Sequence, residues 1–371
     1  MRIGLIAPPW VPVPPPAYGG TEVVVDNLAR ALQRRGHEVL LFTVGSSTCP
    51  VERLFLYPDA VEPMGDSTYE AAHVLAAYDA LADADVDVVH DHTVLGCLVA
   101  GARGDRCPPL VVTNHGPFAA EARRIMSVVA DRAAVVAISH AQAATAGRVR
   151  VGAIIHHGVD LDVYRPAGPG HGYLIFIGRM SPDKGVHRAV RIARRAGRPL
   201  RIVTKMRTAE ERAYFRDVVA PLLAPEAEAP CELPLAERLA LLQGADALLD
   251  PIRWPEPFGL VMAEAMAAGV PVLAYPSGAA PEIVRPGLTG FLCADEDAMV
   301  AAVGRIDLID RDLCRTTAER YFGSDRMAAE YEVLYEHAIE GRVATEWFGD
   351  QFAARPSLAA RAGPSGREHS L

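Results

Sequence analysis

In the first part of the chain, short apolar runs alternate with stretches whose apolar residues recur every three or four positions. Residues 3–6 read as a buried strand, and a proline-rich loop from Ala7 leads to Gly19, Gly20, Thr21 and Glu22. Thr21 is placed to cap a helix running to Arg35, and Gly36 is placed to stop it. Residues 38–44 read as a second strand. Helical patterns at 69–81 and 95–102 then interleave with strand patterns at 86–90 and 110–113. Alternation with short links predicts an α/β fold, a parallel sheet with helices on both faces and its ligand side at the strands' C-terminal ends. Polar clusters fall at three such ends: His90, Asp91 and His92; Thr113 to Gly116; Ser139 and His140. Gly116 and Pro117 leave His115 on a tight loop at the sheet's mouth.

Three glycines and two prolines between Arg165 and Gly172 mark a boundary, after which the pattern restarts with a strand at 173–177. Gly178, Arg179, Ser181, Pro182 and Lys184 follow, ahead of a helix through Arg195. Ser181 reads as its N-cap and Pro182 as its first residue, which puts Lys184 in the first turn. Cations favour the other end of a helix, so Lys184 makes sense there if an anion lies between it and the amides. A strand at 200–203 ends at Lys205, a third cation at a strand mouth. Residues 222–235 show no evident strand of their own, and 239–242 and 247–249 recover the pattern.

The stretch EPFGLVMAE at 256–264 carries the most chemistry. Glu256 and Glu264 bracket a turn at Phe258 and Gly259 that opens a short helix. The first amides of that helix, Leu260 and Val261, have no intrahelical partner and suit a phosphate. Every neighbour of Glu264 from Leu260 to Ala268 is apolar, so its carboxylate is expected to be buried and to need donors such as ribose hydroxyls.

A length of 371 residues allows two domains, each with its own core. The net charge of -9 argues against a general nucleic-acid binder but leaves room for a local basic cleft. Six cysteines without a CxxC pair or zinc spacing point to a reduced, cytoplasmic protein. Pro8 and Pro9 cut the apolar N-terminus too short for a signal segment, and no later run reaches membrane-spanning length.

Blander readings compete with several of these features. Two glycines in a loop are more often a plain turn, and neither GxGxxG nor GxxxxGK is present. Adjacent strand residues face opposite ways, so His90, Asp91 and His92 read as structural or substrate-facing rather than metal-binding. Asp85, Val86 and Asp87 form a DxD triad, but at the start of a strand, away from the ligand end. Arg188, Arg191, Arg195 and Arg198 share one side of an amphipathic helix, read as a solvated face in preference to a lipid contact. Peripheral membrane contact is therefore open but not indicated.

The motifs together resemble one family. EPFGLVMAE matches the E-x7-E signature of the retaining GT-B glycosyltransferases, and its surroundings are similar to their family 4. The glycine pair, the Thr-x-His-Gly motif ending at Gly116, the G-R-x-x-x-x-K-G run at 178–185 and the segments 277–282 and 287–291 fall in the family's order. The hinge motif departs from it, with His157 where the family has Asn.

The resemblance implies a GT-B fold: an acceptor domain at 1–160, a linker at 161–172 and a donor-binding domain at 173–325. A crossover helix at 326–340 and a mobile tail at 341–371 would complete the chain. It implies a retaining, metal-independent transfer from a GDP-, UDP- or ADP-sugar to a sugar, glycan or lipid hydroxyl, with no cofactor. Arg179 and Lys184 would grip the diphosphate, His115 and Glu256 would fix the sugar, and Glu264 would hold the ribose. Gly19, Gly20, Lys205, Phe258, Gly259, Leu260 and Val261 would complete the donor site. A sugar-nucleotide epimerase of the same architecture would turn over without an acceptor. A non-catalytic sensor would bind donor yet release no nucleoside diphosphate.

Overall fold

The computed structural model describes residues 1–17, 19–103, 107–223 and 231–341. The apolar runs form two parallel sheets. The first holds β1 (Arg2–Ile6), β2 (Glu38–Thr43), β3 (Glu52–Phe55), β4 (Val88–Asp91), β5 (Leu110–Thr113), β6 (Ala133–Ala137) and β7 (Ala153–Ile154). Its strand order is β3-β2-β1-β4-β5-β6-β7. The second, ordered β12-β11-β10-β8-β9, holds β8 (Leu174–Arg179), β9 (Leu200–Lys205), β10 (Ala247–Asp250), β11 (Val272–Ala274) and β12 (Gly290–Leu292).

The central strands of both sheets are buried on two faces, which is why β1, β5, β6, β8 and β10 are mostly apolar, while the edge strands β3 and β9 carry exposed polar residues. Leu5, Leu41, Val88 and Val111 feed the core on one side of the first sheet, and Ile6, Leu40, Val89 and Val112 the core on the other. The second sheet divides likewise, with Ile175 and Leu248 on one side and Phe176 and Leu249 on the other.

The chain passes between the sheets twice, side by side. Val159 donates to Phe322 O at 2.7 Å and accepts from Ser324 N at 3.0 Å. A Cβ on Gly158 would lie 2.6 Å from the Ser324 Cα, so only glycine lets the two passes touch. Beyond the second pass, helix Ser324–Ile339 lies against the first sheet and buries Met327, Tyr331, Leu334 and Tyr335 there.

Several sequence expectations need correcting. The first helix spans Gly20–Arg34 with Gly19 at its N-cap and no side-chain cap, so Thr21 lies inside it. Ser181 does not cap the basic helix either, because that helix is Val186–Arg195 with Gly185 as N-cap at φ 78°. A Cβ at Gly185 would meet Pro251 O at 2.6 Å, and this close approach, not Ser181, sets where the helix begins. Lys184 therefore sits in the turn before the helix. The arginine side is only in part a solvated face: Arg191 and Arg195 keep side chains 43 % and 47 % exposed, but Arg188 is buried and donates to Pro251 O at 2.7 Å, and Arg191 pairs with Glu296 at 2.7 Å. Arg195 and Arg198 pair with Asp297 and Asp246.

Within 222–235, Cys231 makes a parallel bridge to Val203, and its carbonyl accepts from Thr204 N at 3.0 Å. Residues 224–230 and the tail expected after Gly341 lie outside the described residues. His90 and His92, two positions apart, share one face of β4 with ring centroids 3.9 Å apart. Among the described residues no group of three or more acidic, histidine or cysteine side chains is arranged to hold a metal ion. No described helix is long and apolar enough to cross a membrane.

Candidate functional site

A cavity of about 220 Å³ opens where the C-terminal ends of the two sheets meet. Its walls come from the segments that follow strands: Gly19 and Gly20 after β1, His115 after β5, Gly178 and Lys184 at and beyond β8, and residues 254–261 after β10. Ten of the twelve expected site residues line it: Gly19, Gly20, His115, Lys184, Glu256, Phe258, Gly259, Leu260, Val261 and Glu264.

Arg179 and Lys205 do not. Of β8, Ile177 and Gly178 line the cavity, and Arg179 at the end of the strand does not. Arg179 instead lies 3.4 Å from Asp183, with its side chain 42 % exposed. Lys205, its neighbour on β9, lines an adjoining cavity beside Glu22.

The chemistry concentrates at the helix Leu260–Ala267. Gly259 precedes it at φ 90°, and a Cβ there would lie 2.4 Å from the Met262 Cε and 3.5 Å from Glu256 Oε2. Glycine thus makes the tight entrance that aims the first amides of the helix into the cavity. Lys184, 6 % exposed, forms an ion pair with Glu256 Oε1, and its ammonium lies 5.9 Å from the centre of the Trp254 ring. The other oxygen, Glu256 Oε2, is buried with no partner.

Asp250, at the end of β10, is buried beside this pair. Burial first, and then the Glu256 charge, push its pKa up to about 7, against the pull of Lys184. Glu264 is buried as expected, but its donor is a side chain: Tyr164 donates to Oε1 at 2.7 Å, and Arg238 donates to the Tyr164 hydroxyl at 3.1 Å.

On the opposite wall, histidines form a relay. His115 shares a 2.8 Å hydrogen bond with His92, and the His92 ring packs at a tilt of 38° against His90. His90 in turn bonds Tyr335 at 2.7 Å and Thr113 at 2.8 Å, and Thr113 bonds Tyr331 at 2.8 Å. His157 stacks on His115 with centroids 5.1 Å apart and meets the Phe258 edge. Burial lowers the pKa of His115 to about 4 and holds His90, His92 and His157 well below the usual value, so all four are neutral at pH 7.

A further contact closes the side of the cleft. Glu282 accepts from the amides of His140 at 2.9 Å and Ala141 at 2.7 Å and from His156 Nε2 at 2.8 Å. Both amides belong to the first sheet's side and Glu282 to the second.

Arg238, Asp250 and Tyr164 escaped the sequence reading, and His157 was noticed there only as a departure from the hinge motif. Arg238 had one legible signal, being the lone cation in the run LAERLALLQ of helix Leu235–Gln243. A tyrosine 100 positions before its carboxylate partner leaves no local trace.

Two family models divide the chain: Glycosyltransferase Family 4 matches residues 18–163, and Glycosyl transferases group 1 matches residues 166–320. A D-inositol 3-phosphate glycosyltransferase of Mycobacterium avium is 31 % identical over 80 % of this chain and 82 % of its own length. The chain belongs to glycosyltransferase family 4. Its fold is GT-B, two parallel-sheet domains facing across a cleft. AviGT4, a glycosyltransferase involved in avilamycin A biosynthesis, superposes with a TM-score of 0.72 at 26 % identity, covering 92 % of this chain and 98 % of its own. Sucrose-phosphate synthase of Thermosynechococcus elongatus gives 0.77 at 20 % identity, covering 92 % and 99 %. This family 4 chain is a glycosyltransferase, and the cavity between its sheets is the candidate active site.

Proposed function

We propose that this glycosyltransferase takes a sugar from a nucleoside diphosphate sugar and passes it, with retention of configuration and without a metal, to an acceptor hydroxyl. The observation that carries this reading is one cavity holding Lys184, the first amides of helix Leu260–Ala267 and the unpartnered Glu256 Oε2. The diphosphate sits on the amides beside Lys184, where the helix start and the ammonium receive the charge that grows as the bond breaks. The sugar lies between Glu256 Oε2 and His115. Ribose hydroxyls join Tyr164 and Arg238 at Glu264.

Arg179 completes the grip by leaving Asp183, an exposed pair worth at most about 1 kcal/mol. Phe258 and the glycine pair bound the sugar's path, and Lys205 guards the far side. In the transfer, the acceptor oxygen bonds the sugar's anomeric carbon as that carbon's bond to the phosphate oxygen breaks. The acceptor's proton leaves with the nucleoside diphosphate.

The test is thermal unfolding with UDP-, GDP- and ADP-glucose, since a ligand that binds only the folded chain raises apparent stability. One of the three is expected to raise Tm, and to be turned over with an acceptor in the presence of a chelator. Failure of all three to bind rejects the donor site, and loss of turnover with chelator rejects metal independence.

A further inference from the structure

Beside the donor cavity lies a larger one of about 480 Å³, on the first sheet's side of the cleft. The two share Gly19, Gly20, Thr21, His115 and Gly116, so whatever fills the second abuts the transferred sugar. Part of its wall is apolar, from Trp10, Met64, Val94 and Ile125. The polar part is Glu22, His92 and Asn114, which are 6 %, 4 % and 8 % exposed.

Two of these groups are unsatisfied. The Asn114 side-chain nitrogen and His92 Nε2 are buried with no hydrogen-bond partner, though protein interiors rarely leave such atoms unpaired. Glu22, in the first turn of helix Gly20–Arg34, has its pKa pushed up to about 7 by burial, against the pull of Lys205. Glu70 also reaches the wall, but its Oε1 is occupied by the amides of Val94 at 2.7 Å and Leu95 at 3.1 Å.

The balance of charge is the informative part. Lys205 is the one cationic side chain among the described lining residues, it faces Glu22, and no arginine joins it. A phosphate dianion is recognised by several charge-assisted donors, usually including a bidentate guanidinium. Placed here it would face a carboxyl group and one already engaged lysine. A neutral polyol suits the polar end, because hydroxyls both donate and accept, and the wall of Trp10, Met64 and Ile125 suits an apolar portion.

We infer that this second cavity takes an uncharged hydroxyl acceptor bearing an apolar portion, its polar end held by Glu22 and Asn114 beside His115. The inference rests on the glycosyl-transfer reading and narrows its acceptor. It sets this chain apart from the relative named for D-inositol 3-phosphate, whose acceptor carries a phosphate in its name.

The experiment uses the full chain with whichever nucleotide sugar raises its Tm. Nucleoside diphosphate release is measured with octyl glucoside, as a neutral probe with an apolar tail, and with D-inositol 3-phosphate. Binding of both probes is measured by calorimetry in the presence of the nucleoside diphosphate. Octyl glucoside is expected to bind and to give a kcat/KM at least about tenfold higher. Binding of the phosphate in preference, or of neither probe, overturns the inference while the donor-induced Tm shift keeps the donor reading intact. If no nucleotide sugar shifts Tm, the donor reading itself has failed.

Glu22→Gln, which keeps the shape of the side chain, is expected to lower acceptor kcat/KM by about tenfold or more with the donor-induced Tm shift retained. Glu22→Arg is expected to move preference toward the phosphate. An unchanged probe preference in both variants would remove Glu22 from the acceptor site.

Discussion

In the proposed reaction Lys184 serves stability and chemistry together. It is buried against Glu256 with Asp250 close behind, so removing its charge leaves acidic groups uncompensated. Breaking one side of such a pair costs about 3 kcal/mol. Lys184→Met is therefore expected to lower both Tm and turnover, and adding Glu256→Gln should recover much of the Tm while turnover stays lost. Recovery of turnover in the double variant would show that Lys184 serves the fold alone. Gly259 is a second such position: Gly259→Ala forces a side chain into φ 90°, a strain of about 1–2 kcal/mol. On the proposed donor site it should weaken nucleotide binding as well, since it shifts the helix start that faces the cavity, and titration with the bound nucleotide checks this.

At the scale of elements, helix Ser324–Ile339 reaches the histidine wall of the cavity. Its Tyr335 hydroxyl fixes His90, whose ring backs His92, which holds His115. Tyr335→Phe should cost about 1 kcal/mol of stability. It should also lower kcat with the donor KM little changed, because it loosens the orientation of His115 and leaves the phosphate site alone. Equal kcat in the variant would confine Tyr335 to packing.

The elements themselves were largely legible, since the apolar central strands and the glycine before Leu260 are local signals. Helix starts were less so. Ser181 has every local mark of a cap, yet the contact of Gly185 with Pro251, sixty-six positions away, decides the boundary. The roles of Glu22 and Arg238 were hidden for a related reason: each matters through what another part of the chain places opposite it. His157, a departure from the family motif, becomes intelligible only through its stack on His115.

For the whole molecule, Glu282 is the latch between the two sheets' loops. Burial alone would raise its pKa, but His156 and the amides of Ala141 and His140 outweigh that and hold it below the ordinary 4.5. Because the folded value is depressed, the latch contributes stability above pH 4.5 and loses it as the pH falls further. Glu282→Ala is expected to open the cleft and raise the fraction of donor lost to water, read as sugar released without acceptor.

The neutral histidines set a second dependence. His90 binds a proton less readily folded than unfolded, so its contribution is present above about pH 6.5 and declines as acid is added. The Tm advantage of wild type over His90→Gln should therefore shrink between pH 7.5 and 5.5, about one unit either side of that ordinary value.

The return of the final helix to the first sheet also bears on how the chain is made. Residues 1–160 emerge from the ribosome long before Tyr331 and Tyr335, which complete their hydrophobic core. The first half must then wait, with an uncovered greasy groove, until residues 324–339 have been made. A fragment ending before Ser324 would carry that groove permanently, and so would call on chaperones that a chain bearing helix Ser324–Ile339 can release.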